Sequence, residues 1–361
     1  TYQLSDTLRL TLGLRYTEEE KDAISDQKLG DSLCGLTGNL EGGTMGQCGA
    51  YNNWLAVVQA TSFNTYNKYW IGDRKTDELT PSLNLQWDVS DSSMLYFSFS
   101  QGFKSGGFSA ADDGNPADLP VAAPPIPPLV NNGFQANTFV SNTPASDFEF
   151  DDESVDAYEI GGKHEFIDGR MRVNWAAFYS EYENLQTTIF KGVGFAVANA
   201  ASSEVKGLEV DWLFQLTEVV RIGANFAYLD AEYGSFPDGP CAAIQLDVNQ
   251  ACGTPAGIAA GSSNDLTGFR TLYASEWSGN AFVDFRTPMG SMELFGGVDL
   301  NYRSEFDSAG DADPLDVIDS YTKVNARIGL SADNWEIMAY GRNIFDEAAL
   351  QQSFDTPVLA G

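Results

Sequence analysis

The chain has one histidine, His164, in 361 residues. One imidazole cannot supply a His-rich metal site, and any hydrolytic triad would have to be built around that single side chain. Basic residues are also scarce: 20 Lys+Arg stand against 51 Asp+Glu, a formal net charge of −31. Phosphate is repelled by such a surface, which excludes nucleic acid as a partner. The plain consequence of the acidity is solubility in a salty medium; the sharper one is attraction of cations to an exposed surface. No window offers the ~18 consecutive apolar residues of a transmembrane helix. No leader peptide opens the chain, because TYQLSDTLRL is already patterned. Either the protein is cytosolic or the sequence is an internal piece of a longer precursor.

Cysteines number four, and none has the C-x-x-C spacing of zinc or redox sites. They form two close pairs, Cys34 with Cys48 and Cys241 with Cys252, in Gly/Asn/Ser/Thr-rich surroundings. Two disulfide-closed loops are expected, and these imply an oxidising compartment, which favours the internal-piece reading.

Aromatics at 12% and 35 glycines favour strands with tight turns over helices. From Thr7 to Thr17, Leu8, Leu10, Leu12, Leu14 and Tyr16 share one face, while Thr7, Arg9, Thr11, Gly13 and Arg15 share the other. Period two over that length is a strand with one apolar and one polar face. The pattern recurs around residues 79–88, 208–214, 220–226, 292–301 and 322–328, and about eleven such strands can be counted. Connections alternate between tight and long. Tight ones fall near Ser90–Ser93, Asp168–Gly169, Thr217–Glu218, Pro288–Ser291 and Ala332–Asn334. Long ones span about 22–72, 109–152, 234–268 and 304–319, with a shorter one at 191–194. In a meander, alternate connections lie at the same end, so the long loops gather at one end and the tight turns at the other.

That segregation, with strands long enough to cross a bilayer and Arg, Asn, Asp and Gln on their second face, predicts an all-β transmembrane antiparallel up-and-down barrel. The long loops are then extracellular and the tight turns periplasmic. Trp87, Tyr96, Trp335, Tyr228 and Tyr233 lie near strand ends and are expected to form interfacial girdles. The prolines of VAAPPIPPLV at 121–130 exclude a central strand and suggest an exposed PPII stretch within a loop.

One stretch needs separate explanation. QGFKSGGF, residues 101–108, follows the aromatic run MLYFSFS. A phosphate-cradling loop would require a helix N-terminus after it, yet the chain runs into AADDGNPADLP, and the order GxxxxGK[ST] is absent. The stretch is therefore read as the outer end of a strand entering a long loop.

YFSFSQGFKSGGF resembles a strand motif of the TonB-dependent outer-membrane receptors. Further segments resemble that family in the same order: ESVDAYEIGGKHEFIDGRMRVNWAAFYSEYENLQ at 153–186, NAASSEVKGLEVD at 199–211, NFAYLDAEY at 225–233, LTGFRTLYASEWSGN at 266–280, SYTKVNARIGL at 320–330 and GRNIFDE at 341–347. In the fourth, Leu272 and Ser275 stand where the family has prolines. Gly102, Phe103, Lys104, Ser105, Gly106, Gly107 and Phe108 form the motif strand. The resemblance implies a plug domain and a TonB-grasped segment upstream and a closing strand downstream, none of which is seen here. Residues 1–361 are then the C-terminal part of a barrel expected to have 22 strands, monomeric and embedded in outer-membrane lipid.

The resemblance further implies TonB-dependent uptake of a scarce, bulky solute, with a ferric siderophore as the first expectation. Cobalamin, haem, a nickel chelate or an oligosaccharide are other cargoes of the same machine. A passive porin is the rival of another class. An enzyme is not expected, since His164 is the sole candidate base and lies at the tight-turn end; no cofactor is expected either. Arg9, Arg15, Arg172, Arg221, Arg303, Arg327 and Arg342 fall on polar faces, where they either meet an anionic chelate or pair with carboxylates of the wall or plug.

Overall fold

The computed structural model describes residues 1–27, 68–109, 149–191, 194–237, 239–242, 245 and 264–353. Twelve strands form one antiparallel sheet in which each pairs with its neighbours along the chain. They are β1 (Tyr2–Ser5), β2 (Leu8–Gln27), β3 (Lys68–Ser90), β4 (Ser93–Lys104), β7 (Glu153–Phe166), β8 (Met171–Lys191), β9 (Gly194–Gln215), β10 (Val220–Ser235), β11 (Trp277–Met289), β12 (Met292–Arg303), β15 (Tyr321–Ala332) and β16 (Trp335–Gly341). Two small ladders stand apart at the long-loop end: β5 (Gly107–Phe108) with β6 (Glu149–Phe150), and β13 (Phe306–Asp307) with β14 (Val317–Ile318).

The alternation read from the sequence becomes two faces through the register. Leu12 of β2 stands opposite Leu83, which faces Phe99, which faces Tyr158, which faces Tyr179. The same face continues through Val210 and Phe226 on β9 and β10, then through Val283, Val298 and Ala326. Its side chains are not buried by protein: Leu14 is 69% exposed, Ile160 52% and Ile337 69%. A water-soluble sheet cannot leave so continuous an apolar surface uncovered, whereas a sheet facing hydrocarbon must.

The opposite face is polar, and on it large rings lie over glycines directly across the ladder. Tyr96 opposes Gly161, Phe178 opposes Gly207, Phe282 opposes Gly223, and Phe295 opposes Gly329. At Gly207 an added Cβ would strike the Tyr228 carbonyl and the Phe178 ring, so the ring takes the place of the missing side chain.

Several expectations change in detail. Among the described residues the main sheet has twelve strands rather than about eleven, because the four-residue β1 pairs with β2. The excursion expected over 22–72 is shorter at both ends, since β2 reaches Gln27 and β3 begins at Lys68. The 304–319 connection is ordered by β13, β14 and the 3-10 turn Pro314–Asp316 between them, capped by the Asp313 side chain on Leu315 N–H. Tyr96 and Tyr233 do not belong to interfacial girdles. Tyr96 lies on the polar face and donates to Glu159 at 2.5 Å, and Tyr233 is buried at 4% exposure with Phe236 and Leu266. Trp87, Trp335 and Tyr228 do stand on the apolar face, Trp87 at 49% and Trp335 at 42% exposure.

Candidate functional site on the polar face and its loop-side rim

The polar face carries nearly all the cations. Among strand residues with described side chains, register parity puts Arg9, Arg15, Lys21, Arg74, Lys104, Lys163, Arg172, Arg221, Arg286, Arg303, Lys323 and Arg327 there; Lys75 and Lys206 take the other face. Those two are paired outward with Glu18 and Asp230. A chain of strongly negative formal charge therefore presents its positive groups to one side of the wall.

The seven arginines expected to meet a ligand or carboxylates divide by partner. Arg9 pairs with Asp88 at 2.8 Å. Arg221 and Arg327 share Asp284 at 3.1 and 2.5 Å. Arg172 stands 3.9 Å from Glu165. Arg303 is fully engaged by structure: it donates to Ser275 Oγ at 2.6 Å and to the Tyr273 carbonyl at 2.6 Å, and its guanidinium lies 3.9 Å from the Phe306 ring centroid. Arg342 lies over the Tyr340 ring at 5.7 Å. Arg342 and Arg15 have no side-chain ion pair among the described residues. A separate amide ladder lies on the same face, in which Asn280 donates to Asn301, and Asn301 and Asn325 both donate to Asp299.

The motif strand ends in a second, denser cluster at the long-loop end. The β3–β4 ladder stops at Ser82↔Ser100, just below Pro81, whose missing N–H suits a strand losing its neighbour. β4 runs on to Lys104 against β7, and side chains fill the gap that opens beside β3. Arg74 donates to Glu149 at 2.5 Å and to Asp152 at 2.9 Å. Asp152 also accepts from the Gly106 N–H at 2.5 Å and the Thr76 hydroxyl at 3.1 Å. Lys21 donates to Ser105 Oγ at 2.6 Å and to the Gly106 carbonyl at 2.7 Å. Gln186 ties in the Lys104, Ser105 and Asp151 carbonyls.

The glycines of the motif follow from this packing. A Cβ at Gly106 would meet the Phe150 carbonyl, with Arg74 Cζ 2.8 Å away, and a Cβ at Gly107 would meet the Phe150 ring at 2.9 Å. Burial alone would raise the Asp152 carboxyl, but the Gly106 amide, Arg74 and Thr76 outweigh it and hold it below the ordinary carboxylate value. Burial alone would likewise lower Arg74, but its bonds to Asp152 and Glu149 raise it. Sequence patterning missed Arg74, Thr76 and Asp152, because the polar side chains of β3 beyond the apolar band carry no period and Asp152 lies between strands β6 and β7.

His164 is not the solvated side chain that its place near a turn suggests. Its Nδ1 lies 3.1 Å from Ser93 Oγ, and its Nε2 accepts from Trp175 Nε1 at 3.2 Å. Among the described residues no group of three or more His, Cys, Asp or Glu side chains is arranged to hold a metal ion. Cys241 is disulfide-bonded; Cys34, Cys48 and Cys252 lie outside the described residues. The long-loop side also has a small core of its own, where Tyr233, Phe236 and Leu266 pack with Leu185 of β8 and Ala312.

The family model "TonB dependent receptor-like, beta-barrel" matches residues 1–344. A metal-pseudopaline receptor of Pseudomonas aeruginosa is 34% identical over 83 residues, covering 23% of this chain and 12% of that protein. A probable TonB-dependent siderophore receptor of Acinetobacter baumannii is 24% identical over 183 residues, 51% of this chain and 20% of that protein. Among solved structures, the ferric yersiniabactin uptake receptor of Yersinia pestis superposes with a TM-score of 0.61 at 14% identity, covering 95% of this chain and 39% of that one. The chain thus spans well under half the length of the proteins it matches.

Proposed function

Since the chain belongs to the TonB-dependent receptor β-barrel family of the outer membrane, we propose that it forms wall and loops of a receptor that takes up a ferric siderophore with energy delivered through TonB. The observation that carries this reading is the pair of arginines that the wall leaves without a carboxylate partner among the described residues. The polar face, which becomes the lumen when the sheet closes, holds nearly all the strand cations but also carboxylates such as Glu78, Glu159, Glu209, Asp211 and Asp299. A ferric chelate of net negative charge would thus be drawn by those two arginines rather than by a net positive face. The siderophore receptors among its relatives support the same cargo class. Arg15 and Arg342, without ion pairs among the described residues, are the arginines best placed to meet the chelate or the plug. Wall-paired Arg9, Arg221 and Arg327 serve the barrel first.

The test is uptake of radiolabelled iron by cells carrying the complete receptor as their sole route for a panel of ferric siderophores. Energy-dependent accumulation of one chelate is expected, weakened severalfold in KM by Arg15→Gln. A steady, TonB-independent conductance would replace this reading with a passive pore. The pseudopaline-receptor match favours a second reading, in which the chelated metal is not iron. Induction by zinc or nickel starvation, with iron starvation silent, would select it.

A further inference from the structure

β5 and β6 pair over only two residues each, Gly107↔Phe150 and Phe108↔Glu149. So short a ladder is marginal by itself. It also lies above the point where β4 has left β3, so no continuous sheet supports it on that side. The described hydrogen bonds that fasten its flanks to the wall come from charged and polar side chains, with Gln186 and Asn199 holding Asp151 on the β8–β9 side. Arg74 reaches across the gap from β3 to Glu149 on β6 and to Asp152 just beyond, while Asp152 takes the Gly106 amide on the other arm. One carboxylate thus receives a guanidinium, a backbone amide and the Thr76 hydroxyl.

We propose that Arg74 and Asp152 form an acid-releasable clamp that holds the β5–β6 ladder against the barrel wall. The inference goes beyond the uptake reading and does not rest on it. The charged groups around Asp152 come from every element packed there: Glu19 and Lys21 of β2, Arg74 of β3, Glu149 and Asp151 on its own side, and Glu153 opening β7. Lys21 is engaged by Glu19, Ser105 and Gly106, leaving Arg74 as the cation on Asp152. Protonation removes the charge that orients all three donors. Because the native state holds the Asp152 carboxyl below its ordinary value, the clamp is complete above about pH 4 and is lost as pH falls through the lower native value.

Hydrogen exchange of the complete receptor in detergent, read at Gly107, Phe108 and Phe150 and compared with β11–β12, tests the clamp. Arg74→Gln and Asp152→Asn are each expected to speed exchange at the ladder at least tenfold at neutral pH while leaving β11–β12 unchanged. The double reversal Arg74→Asp with Asp152→Arg is expected to recover part of the protection. In the unaltered protein, ladder protection should fall with acid, and in Asp152→Asn it should not. Unchanged ladder exchange in both single variants, or a loss spread evenly over the whole wall, would overturn the proposal.

Discussion

Asp284 shows how one side chain organises this wall. It sits on β11 and holds Arg221 of the neighbouring β10, yet it also reaches Arg327 two strands away. The reach passes over Gly297 of β12, where a Cβ would collide with the Asp284 carboxylate. Glycine is needed there for space, with no demand on its backbone angles. Both arginines are about half exposed, and exposed pairs contribute roughly 0.2–1 kcal/mol each. Asp284→Asn is therefore expected to lower barrel stability by only about 1 kcal/mol, since the shape is kept and two exposed pairs are weakened. Gly297→Ala should break the Arg327 link while sparing Arg221. Urea midpoints of the reconstituted receptor measure both. A loss beyond about 3 kcal/mol for Asp284→Asn would mean that the carboxylate is buried and obligatory, against its surroundings as described.

At the scale of the strand, the ring-over-glycine pairs make a sharper demand. Gly207 faces Phe178, and its absent Cβ would run into backbone as well as ring, namely the Tyr228 carbonyl. Backbone in a continuous ladder cannot move aside as a side chain can. Gly207→Val is expected to cost about 1–3 kcal/mol or to block assembly, while Phe178→Leu, which only shrinks the ring, should cost less. Heat-modifiable gel mobility separates folded from unfolded barrel for both; equal behaviour of the two variants would show that the ring, not the glycine, matters. These pairs were invisible to sequence reading, because they join residues far apart in the chain whose contact depends on register. The strands themselves were legible wherever an apolar residue recurred at every second position, as in Leu8–Tyr16. The signal failed above Tyr16, where β2 continues through TEEEKDAISDQ with polar groups on both faces. The tight turns were legible from their small and polar residues; in two of them Asp and Gly adopt left-handed backbone, at Asp168 with Gly169 and at Gly290.

Seen as a whole, the sheet has two faces that ask for different surroundings and two edges that ask for a partner. Among the described residues, β1 pairs only with β2 and β16 only with β15. The buried apolar residues are few and lie mostly under the loops, at Tyr233, Phe236, Leu266, Phe306 and Ile318, whereas Leu12, Leu79, Val283 and Ile328 along the wall stay exposed. Stability therefore cannot come from a core between layers; it comes from ladder hydrogen bonds, cross-strand packing and whatever covers the apolar face. Sequence reading reached this architecture from loop segregation, strand length and the polar second face of the strands. The lumen cluster of Arg74 and Asp152 stayed hidden, since its members are separated by 78 positions and carry no motif of their own. The same reasoning predicts the behaviour of residues 1–361 expressed by themselves. In aqueous buffer the open edges and the uncovered face should drive rapid precipitation despite a net charge of −31, because charge on loops and lumen cannot shield a continuous apolar band. In a detergent micelle the face is covered but the edges are not, so self-pairing into larger species should persist until the remaining strands are supplied. Size-exclusion chromatography with light scattering reads both conditions. A monodisperse, water-soluble monomer with strand circular dichroism would contradict the assignment of the apolar face to lipid.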